Sequence, residues 1–327
     1  MEPCANAETS AAAIARAEAA QAGTVQVPPG MVALAGGDFR MGSERYYPEE
    51  APVCRVRVSP FFMDVAQVTN AQFAQFVEAT GYRTLAERVH ETGSYVGSAV
   101  FDPGHVLAGT RIDPPWWTWV EGACWRQPLG PSSSLGGLHD HPVVHVAFED
   151  AEAYAQWAGK SLPSEADWEF AARAGLDGAD FAWGDELAAG GDMLANFWQG
   201  PFPHRNLMLD GWARTSPVGA FPANAHGLLD MIGNVWEWTS AWWALPEAQP
   251  AAMKPCCVPR DPRGGCESAS SEAGEGAHTG SPRKVLKGGS HLCAPNYCQR
   301  YRPAARLPQA VDSSTGHIGF RCVVRVP

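Results

Sequence analysis

Thirty-four glycines and 27 prolines are spread through a chain of 327 residues. Proline removes a backbone donor and glycine opens turn conformations closed to other residues, so long helices are disfavoured and turns dominate. Such a chain must find its core between loops. The 13 tryptophans all fall between Trp116 and Trp243, where large rings can fill that space, with a minority left to line a peptide groove. The length suffices for a sizeable core. No repeat of about 20 to 50 residues is present, and one domain is expected.

A formal net charge of −11 makes nucleic acid and anionic membrane surfaces poor partners. No stretch approaches the roughly 20 apolar residues of a membrane span. Ala11 to Gln21 is alanine-rich but interrupted by Arg16 and Glu18, so it lacks the apolar region of a secretory signal. No Asn-x-Ser/Thr acceptor occurs either. The expectation is a soluble, cytoplasmic protein whose residues 1–24 form a frayed tail and whose domain spans 25–327. In that compartment cysteines stay reduced and serve metals or catalysis. The nine cysteines, an odd number, cannot all pair within one chain.

Local patterns sketch the elements. Met31–Ala35 and Phe39–Met41 flank Gly36-Gly37-Asp38, a hairpin signal. Cys54, Val56 and Val58 alternate with Arg55 and Arg57 as in a half-buried strand. A helix opening at Thr69 or Asn70 places Phe73, Phe76 and Val77 on one face and stops at Gly81. Asp150 opens a second, with Tyr154, Trp157 and Ala158 on a stripe before Gly159. Ser164 and Asp167 form a capping box for a third, closed by Gly175. Residues 245–282 hold six prolines and few large apolar residues, and read as a long surface loop. Lys284–Lys287 and Phe320–Arg325 are the last strand patterns.

Chemistry concentrates after Lys287, in Gly-Gly-Ser290-His-Leu-Cys293-Ala-Pro-Asn-Tyr-Cys298. Two convergent thiolates suit a soft, low-coordinate ion such as Cu(I) better than zinc, which wants four ligands or three and water. They would equally suit a redox-active disulfide or two small buried hydrophobes. From Arg283 to Arg325 there are eight Lys or Arg and one acid, Asp312. Cations favour thiolate and would compensate a Cu(I) dithiolate, which tips the balance towards function. Arg321 and Arg325 on an alternating strand are expected to face solvent; Arg300, Arg302 and Arg306 are the cations expected nearer the thiols. A second, oxygen-rich region contains Asn196-Phe197, Asp210-Gly211-Trp212 and Asp230-Met-Ile-Gly233-Asn-Val235-Trp236-Glu237. Calcium accepts such mixed sets, although Asx turns and caps account for them as simply. His141 and His145, separated by Pro142, read as structural. Cys54 and Cys322 read as strand positions in the core, Cys124 as packing and Cys4 as a tail passenger, while Cys256, Cys257 and Cys266 have no evident role.

The segment Lys284–Cys322, KVLKGGSHLCAPNYCQRYRPAARLPQAVDSSTGHIGFRC, resembles the C-terminal motif of formylglycine-generating enzymes, or sulfatase-modifying factors. The likeness extends through GGDFRMGS, QVTNAQF, PWW, DHPVVHV, LPSEADWEFAARAGL, ANFWQG and GLLDMIGNVWEWT. It implies a single asymmetric α+β domain with little regular structure, related to C-type lectin folds. It also implies oxidation of the cysteine in a Cys-x-Pro-x-Arg segment of a sulfatase to Cα-formylglycine, with O2 and a thiol reductant. By the same resemblance Cys293 and Cys298 bind Cu(I), and Ser290 is the neighbouring active-site serine. Trp236 is expected to wall the pocket. Structural calcium falls to Asn196, Phe197, Asp210 and Trp212 at one site, and to Asp230, Gly233, Val235 and Glu237 at another.

Departures from the pattern are informative. Ala155, Ala172 and Pro303 stand where secreted animal members carry structural cysteines, so Cys322 has no disulfide partner and the bacterial cytosolic type is implied. Cys257-Val-Pro259-Arg260 is similar to the client motif, but its arginine comes one residue early, so self-modification is not expected. A non-catalytic lectin-like binding module would not need the paired cysteines. An iron-dependent sulfoxide synthase would need a further His-x3-His-x-Glu domain. A metal-free thiol–disulfide oxidoreductase remains the third alternative.

Overall fold

The computed structural model describes residues 26–89, 96–104, 106–247, 257–271 and 280–326. In chain order these form β1 (Met31–Leu34), β2 (Gly37–Met41), β3 (Cys54–Val58), β4 (Phe61–Asp64), helix α1 (Asn70–Thr80), β5 (Gly97–Phe101), β6 (Thr110–Ile112) and β7 (Trp117–Glu121). There follow α2 (Phe148–Trp157), α3 (Glu165–Arg173), β8 (Trp236–Trp242), the single turn α4 (Glu267–Ser270), β9 (Arg283–Lys287), β10 (Arg306–Ala310), β11 (Ile318–Gly319) and β12 (Val323–Arg325). Four small sheets result, in the orders β1-β4-β12, β2-β3, β5-β7-β6 and β10-β9-β8-β11. Every pairing between these strands is antiparallel except that of β11 with β8. This is the α+β architecture expected, with short elements separated by long irregular connections.

The glycine pair at 36–37 does not close a hairpin. β1 pairs with β4 and β2 with β3, so the strands on either side enter different sheets. A Cβ at Gly36 would sit 2.4 Å from the Val58 carbonyl oxygen, which makes the turn a close crossing of two chains rather than a reversal. The capping chemistry decides the helices. Thr69 accepts from the Gln72 N–H and Gly81, at φ 67°, closes α1. Ser164 and Asp167 complete the expected box of α3, which ends on Ala174 in the left-handed region just before Gly175. At α2 the start moves forward: Asp150 lies inside the first turn, and its carboxylate accepts from the Ala147 N–H at 2.8 Å.

Trp125, Trp168 and Trp238 are fully buried, as are Phe61, Phe73 and Phe320. Helix α3 packs on β2, β3, β8 and β9, beneath the largest sheet. Cations thread this core. Lys287 bonds Glu169 at 2.8 Å, Arg173 bonds Glu169 at 2.7 Å, and Arg306 meets Glu165 at 2.7 Å. Arg302 pairs with Glu50. The alternating pattern at 320–325 misleads: β11 ends at Gly319, β12 begins at Val323, and Arg321 is completely buried. Arg321 donates through Nε and Nη2 to the two oxygens of Glu237, each at 2.8 Å. Arg325 turns to Asp167 rather than to solvent. Cys322 is buried in the gap between β11 and β12, and Cys54 is half-buried on β3.

In its described parts the segment 245–282 is pinned to the body. Arg57 N–H donates to the Pro259 carbonyl at 2.8 Å, Asp261 N–H returns a bond to Arg57 O, and Gly265 N–H donates to Trp242 O. Cys4, Cys256 and the tail 1–24 lie outside the described residues.

Two outcomes are expected. Arg321→Met leaves Glu237 buried without its counter-ion and should cost about 3–5 kcal/mol, read from urea midpoints at unchanged slope. His145 is fully buried, with Nδ1 2.8 Å from Ser98 Oγ and Nε2 2.9 Å from the Pro128 carbonyl. Burial drives its pKa down from 6.5 to about 4. Since the folded pKa is depressed, the unfolded chain takes up the proton first, and stability is lost as pH falls from about 6.5 towards 4. Near pH 5 this one group should have withdrawn about 2 kcal/mol. His145→Asn should flatten that limb of the stability curve by the same amount.

Candidate active site

Strand β9 ends at Lys287 and the chain folds at once through Gly288 and Gly289. A Cβ on Gly289, at φ 73°, would lie 2.5 Å from the Arg300 carbonyl oxygen, so only glycine lets this loop press against the backbone leaving Cys298. Cys293 N–H then donates to Ser290 O and Cys298 N–H to Ala294 O, both at 2.9 Å. These turns bring the two thiols close enough for each to bear on the other's ionisation. Cys293 is buried and Cys298 partly open. Burial pushes the Cys293 thiol well up, whereas the bond from Cys293 holds Cys298 below its ordinary value. One sulfur is thus poised to ionise first, with a proton held beside it by the other.

The basic segment contributes less here than its charge count suggests. Lys287, Arg302, Arg306 and Arg321 are spent on core carboxylates, and Arg300 is the cation that bears on both thiols. Arg300 lies 3.8 Å above the Tyr47 ring and pairs with Glu49. On the other side the rim is aromatic: Tyr297, 52% exposed, stacks on Phe202 at 4.6 Å, and Trp116 meets both edge-on. Among the described residues no group of three or more His, Cys, Asp and Glu could hold a metal. The thiol pair therefore offers two soft donors and an open side, which fits Cu(I) and does not fit a closed four-ligand zinc site.

Ser290 is fully buried, and its Oγ accepts from the Leu292 N–H at 3.2 Å. Trp236 opens β8 and belongs to the same apolar cluster as Cys293. Asn234, at φ 52°, ties these loops together. Its carbonyl accepts from the His291 N–H at 2.9 Å and faces His291 Nδ1 at 2.8 Å. Its amide exchanges bonds with Ser216 N and O, and its N–H donates to Asn196 O at 2.7 Å.

Asn196, Phe197, Asp210 and Trp212 do come together. Phe197 N–H donates to Asp210 Oδ2 at 3.1 Å, and Trp212 N–H to Oδ1 at 2.9 Å. The Gln199 amide donates to both the Phe197 carbonyl and Asp210 Oδ2, an oxygen pair bridged by a positive dipole where a cation would sit. Burial raises the Asp210 carboxyl. This set fits calcium. In the other set Glu237 is engaged on both oxygens by Arg321, by Trp168 Nε1 at 2.8 Å and by Gln67 Nε2 at 3.0 Å. Burial pushes Asp230 up to about 6.

Residues 16–326 match the sulfatase-modifying factor enzyme 1-like domain. The chain is 50% identical over 302 residues to the formylglycine-generating enzyme of Mycobacterium tuberculosis, covering 90% of this chain and 97% of that one. This chain belongs to the sulfatase-modifying factor family. The formylglycine-generating enzyme of Thermomonospora curvata is 48% identical over 91% of the chain and 94% of its own length. The solved structure of PvdO from Pseudomonas aeruginosa superposes with a TM-score of 0.55 at 25% identity, covering 90% of this chain and 94% of that one.

Within this family member, sequence reasoning found the thiols, the oxygen-rich loops and Arg300 but missed Asn234, Tyr47, the Glu49 partner of Arg300, and the Phe202–Tyr297 stack. Asn234 carried a signal of its own, an asparagine after glycine at a turn. The others become neighbours only through contacts between distant segments. His141, 3.0 Å from Thr215 Oγ1, and His145 are hydrogen-bonded inside the protein, as expected. Asn234→Ala removes a buried amide with several partners and should cost about 2–4 kcal/mol in urea unfolding. Because that amide also accepts from Asn196 Nδ2 and holds in place the residue whose main-chain carbonyl takes the His291 N–H, the free-thiol reactivity of Cys298 should rise as the loop loosens.

Proposed function

We propose that this protein is a formylglycine-generating oxidase acting on a sulfatase chain that presents Cys-x-Pro-x-Arg, with Cu(I) on Cys293 and Cys298. The observation that carries the reading is that one tight loop presents two free thiols, Cys293 buried and Cys298 half-open, with no group of three metal-ligating side chains among the described residues. Cys293 and Cys298, with the client thiolate, would hold copper, which when bound would supply the one-electron chemistry with O2. The protein's own groups do the rest. Cys298, held below its ordinary value, is the thiol set to ionise first, and buried Cys293 keeps its proton longer. Ser290, its hydroxyl buried beside the thiols in sequence and in the turn, positions or passes a proton. Trp236 keeps water from the inner face of the pair. The aromatic rim suits an extended peptide, and the acidic chain suits an arginine-bearing one.

Oxidising the client CH2–SH to an aldehyde releases two electrons and the sulfur as sulfide, whereas reducing O2 to water takes four. A thiol reductant supplies the other two and leaves as disulfide. A cytoplasmic location would provide that reductant and keep the remaining cysteines free. Asn196, Phe197, Asp210 and Trp212 would hold a structural calcium, and Asp230, Gly233, Val235 and Glu237 frame a second. No helix among the described residues is long and apolar enough to cross a membrane.

The test is direct. A Cys-x-Pro-x-Arg peptide incubated with the protein, Cu(I), O2 and a thiol should gain an aldehyde by mass spectrometry. Cys293→Ala should reduce product to background. Undiminished product in that variant would overturn any role for the thiol pair, and undiminished product from wild type stripped of copper would overturn the copper assignment.

A further inference from the structure

Between Phe197 and Asp210 the chain carries three consecutive large apolar side chains into solvent. Leu207, Met208 and Leu209 are 44%, 49% and 64% exposed. A single exposed leucine needs no explanation, but a contiguous apolar tip on an acidic chain does. The turn that displays it is built, not loose. A Cβ on Gly200, at φ 109°, would sit 2.7 Å from the Arg205 carbonyl oxygen and 2.9 Å from Leu207 Cγ, so only glycine lets the chain fold back over itself here. Leu207 N–H donates to Gln199 O at 2.6 Å, Met208 N–H to Asn206 Oδ1 at 3.0 Å and Gly211 N–H to Met208 O at 3.0 Å. Met208 is held at φ 51°, a left-handed conformation that residues with a side chain seldom adopt.

The tip is continuous with the aromatic rim of the thiol site. Leu207 rests on Gly200, and two residues further on the Phe202 ring stacks on Tyr297. Asn296, in the loop between the two cysteines, faces the Phe202 N–H with its amide oxygen and the Gly200 carbonyl with its amide nitrogen, at 3.2 Å each. Tip, rim and thiol loop are thus tied together. We propose that the turn at Leu207–Leu209 docks apolar residues of the client polypeptide that flank its Cys-x-Pro-x-Arg segment. The proposal rests on the oxidase reading above and adds a second foothold outside the motif. An extended client keeps its apolar side chains free, since only a folded chain has buried them, and it leaves the rim beside this tip. A second contact a few residues from the first is made at high effective concentration, so even a small patch adds affinity. Two copies of this chain, each at −11, repel one another, as would an anionic membrane. The client is the occupant that this surface fits.

The experiment uses the full chain and labelled peptides whose motif cysteine is replaced by serine, so that fluorescence anisotropy reads binding without turnover. One peptide carries Leu and Met before the motif, one carries them after it, and one has only Ser and Gly on both sides. One of the two apolar peptides should bind wild type about tenfold more tightly than the Ser/Gly peptide. The double variant Met208→Asn with Leu209→Ser should lose that advantage and keep its affinity for the Ser/Gly peptide. Asparagine is chosen because it tolerates the left-handed turn, and an unchanged melting temperature shows that the variant is folded. With cysteine restored in the peptides, KM for aldehyde formation should follow the same pattern at unchanged kcat. Equal binding of all three peptides by wild type, which needs no variant, overturns the proposal. So does a preference that survives in the double variant; if that variant instead loses a dimer in sedimentation, or binding to phosphatidylglycerol vesicles, the tip serves a second copy or a membrane. If no peptide gains an aldehyde, the oxidase reading fails, while the anisotropy still decides whether the tip docks apolar peptide.

Discussion

One buried ion pair holds the elements around the thiol site in register. Glu237 on β8 faces Arg321 from the C-terminal segment, with side chains 1% and 0% exposed. Burying two charges is costly, and their attraction repays that cost only with good geometry and further hydrogen bonds. Here both are present. The carboxylate also takes the indole N–H of Trp168 on α3, and the guanidinium reaches the carbonyls of Leu229 and Asp230. A helix, a central strand and the chain terminus are thereby fixed against each other at a single point. Since β8 leads directly from the Asp230–Trp236 loop, that point also sets where Asn234 lies.

From Asn234 the order is passed outward by main-chain bonds. Gly233 N–H donates to Gly288 O, and His291 N–H to Asn234 O, at 2.9 Å each. The loop after β9 is therefore laced to the loop before β8, and the two cysteines are presented from a backbone with little freedom. Trp198 N–H closes the other side on Cys293 O at 2.9 Å. Rigid support of this kind matters because the site presents two thiols and, among the described residues, no group of three metal-ligating side chains. Placement, more than ligand number, must define it.

Much of the local structure is written in short-range chemistry. Thr69 with Gln72, Ser164 with Asp167 and Gly81 act within a turn, and a capping side chain has its partner a few residues away. The Cys293–Cys298 pair is legible for the same reason: five residues and a proline bring the thiols round in one loop. The pattern at 320–325 shows where such reading fails. Alternation marks two faces of a strand, but it does not say which face meets a charged partner. Arg321 is as buried as Phe320 because Glu237, 84 positions away in sequence, neutralises it. The glycine pair at 36–37 fails likewise, since the Val58 carbonyl that demands it comes from another strand.

The abundance of glycine and proline, the tryptophan-rich middle and the GGSHLCAPNYC loop by themselves determined a turn-rich domain with a dithiol centre, because backbone permissiveness and loop spacing are local properties. Only the tertiary structure decided how the charge is spent. A basic C-terminal stretch that looks made for thiolates delivers Arg300 to them and sends Lys287, Arg302, Arg306 and Arg321 to acids on β8, on α3 and in the turn before β3. Electrostatic pairing in a buried interior depends on which groups fold to within a few ångströms, and sequence separation carries no information about that.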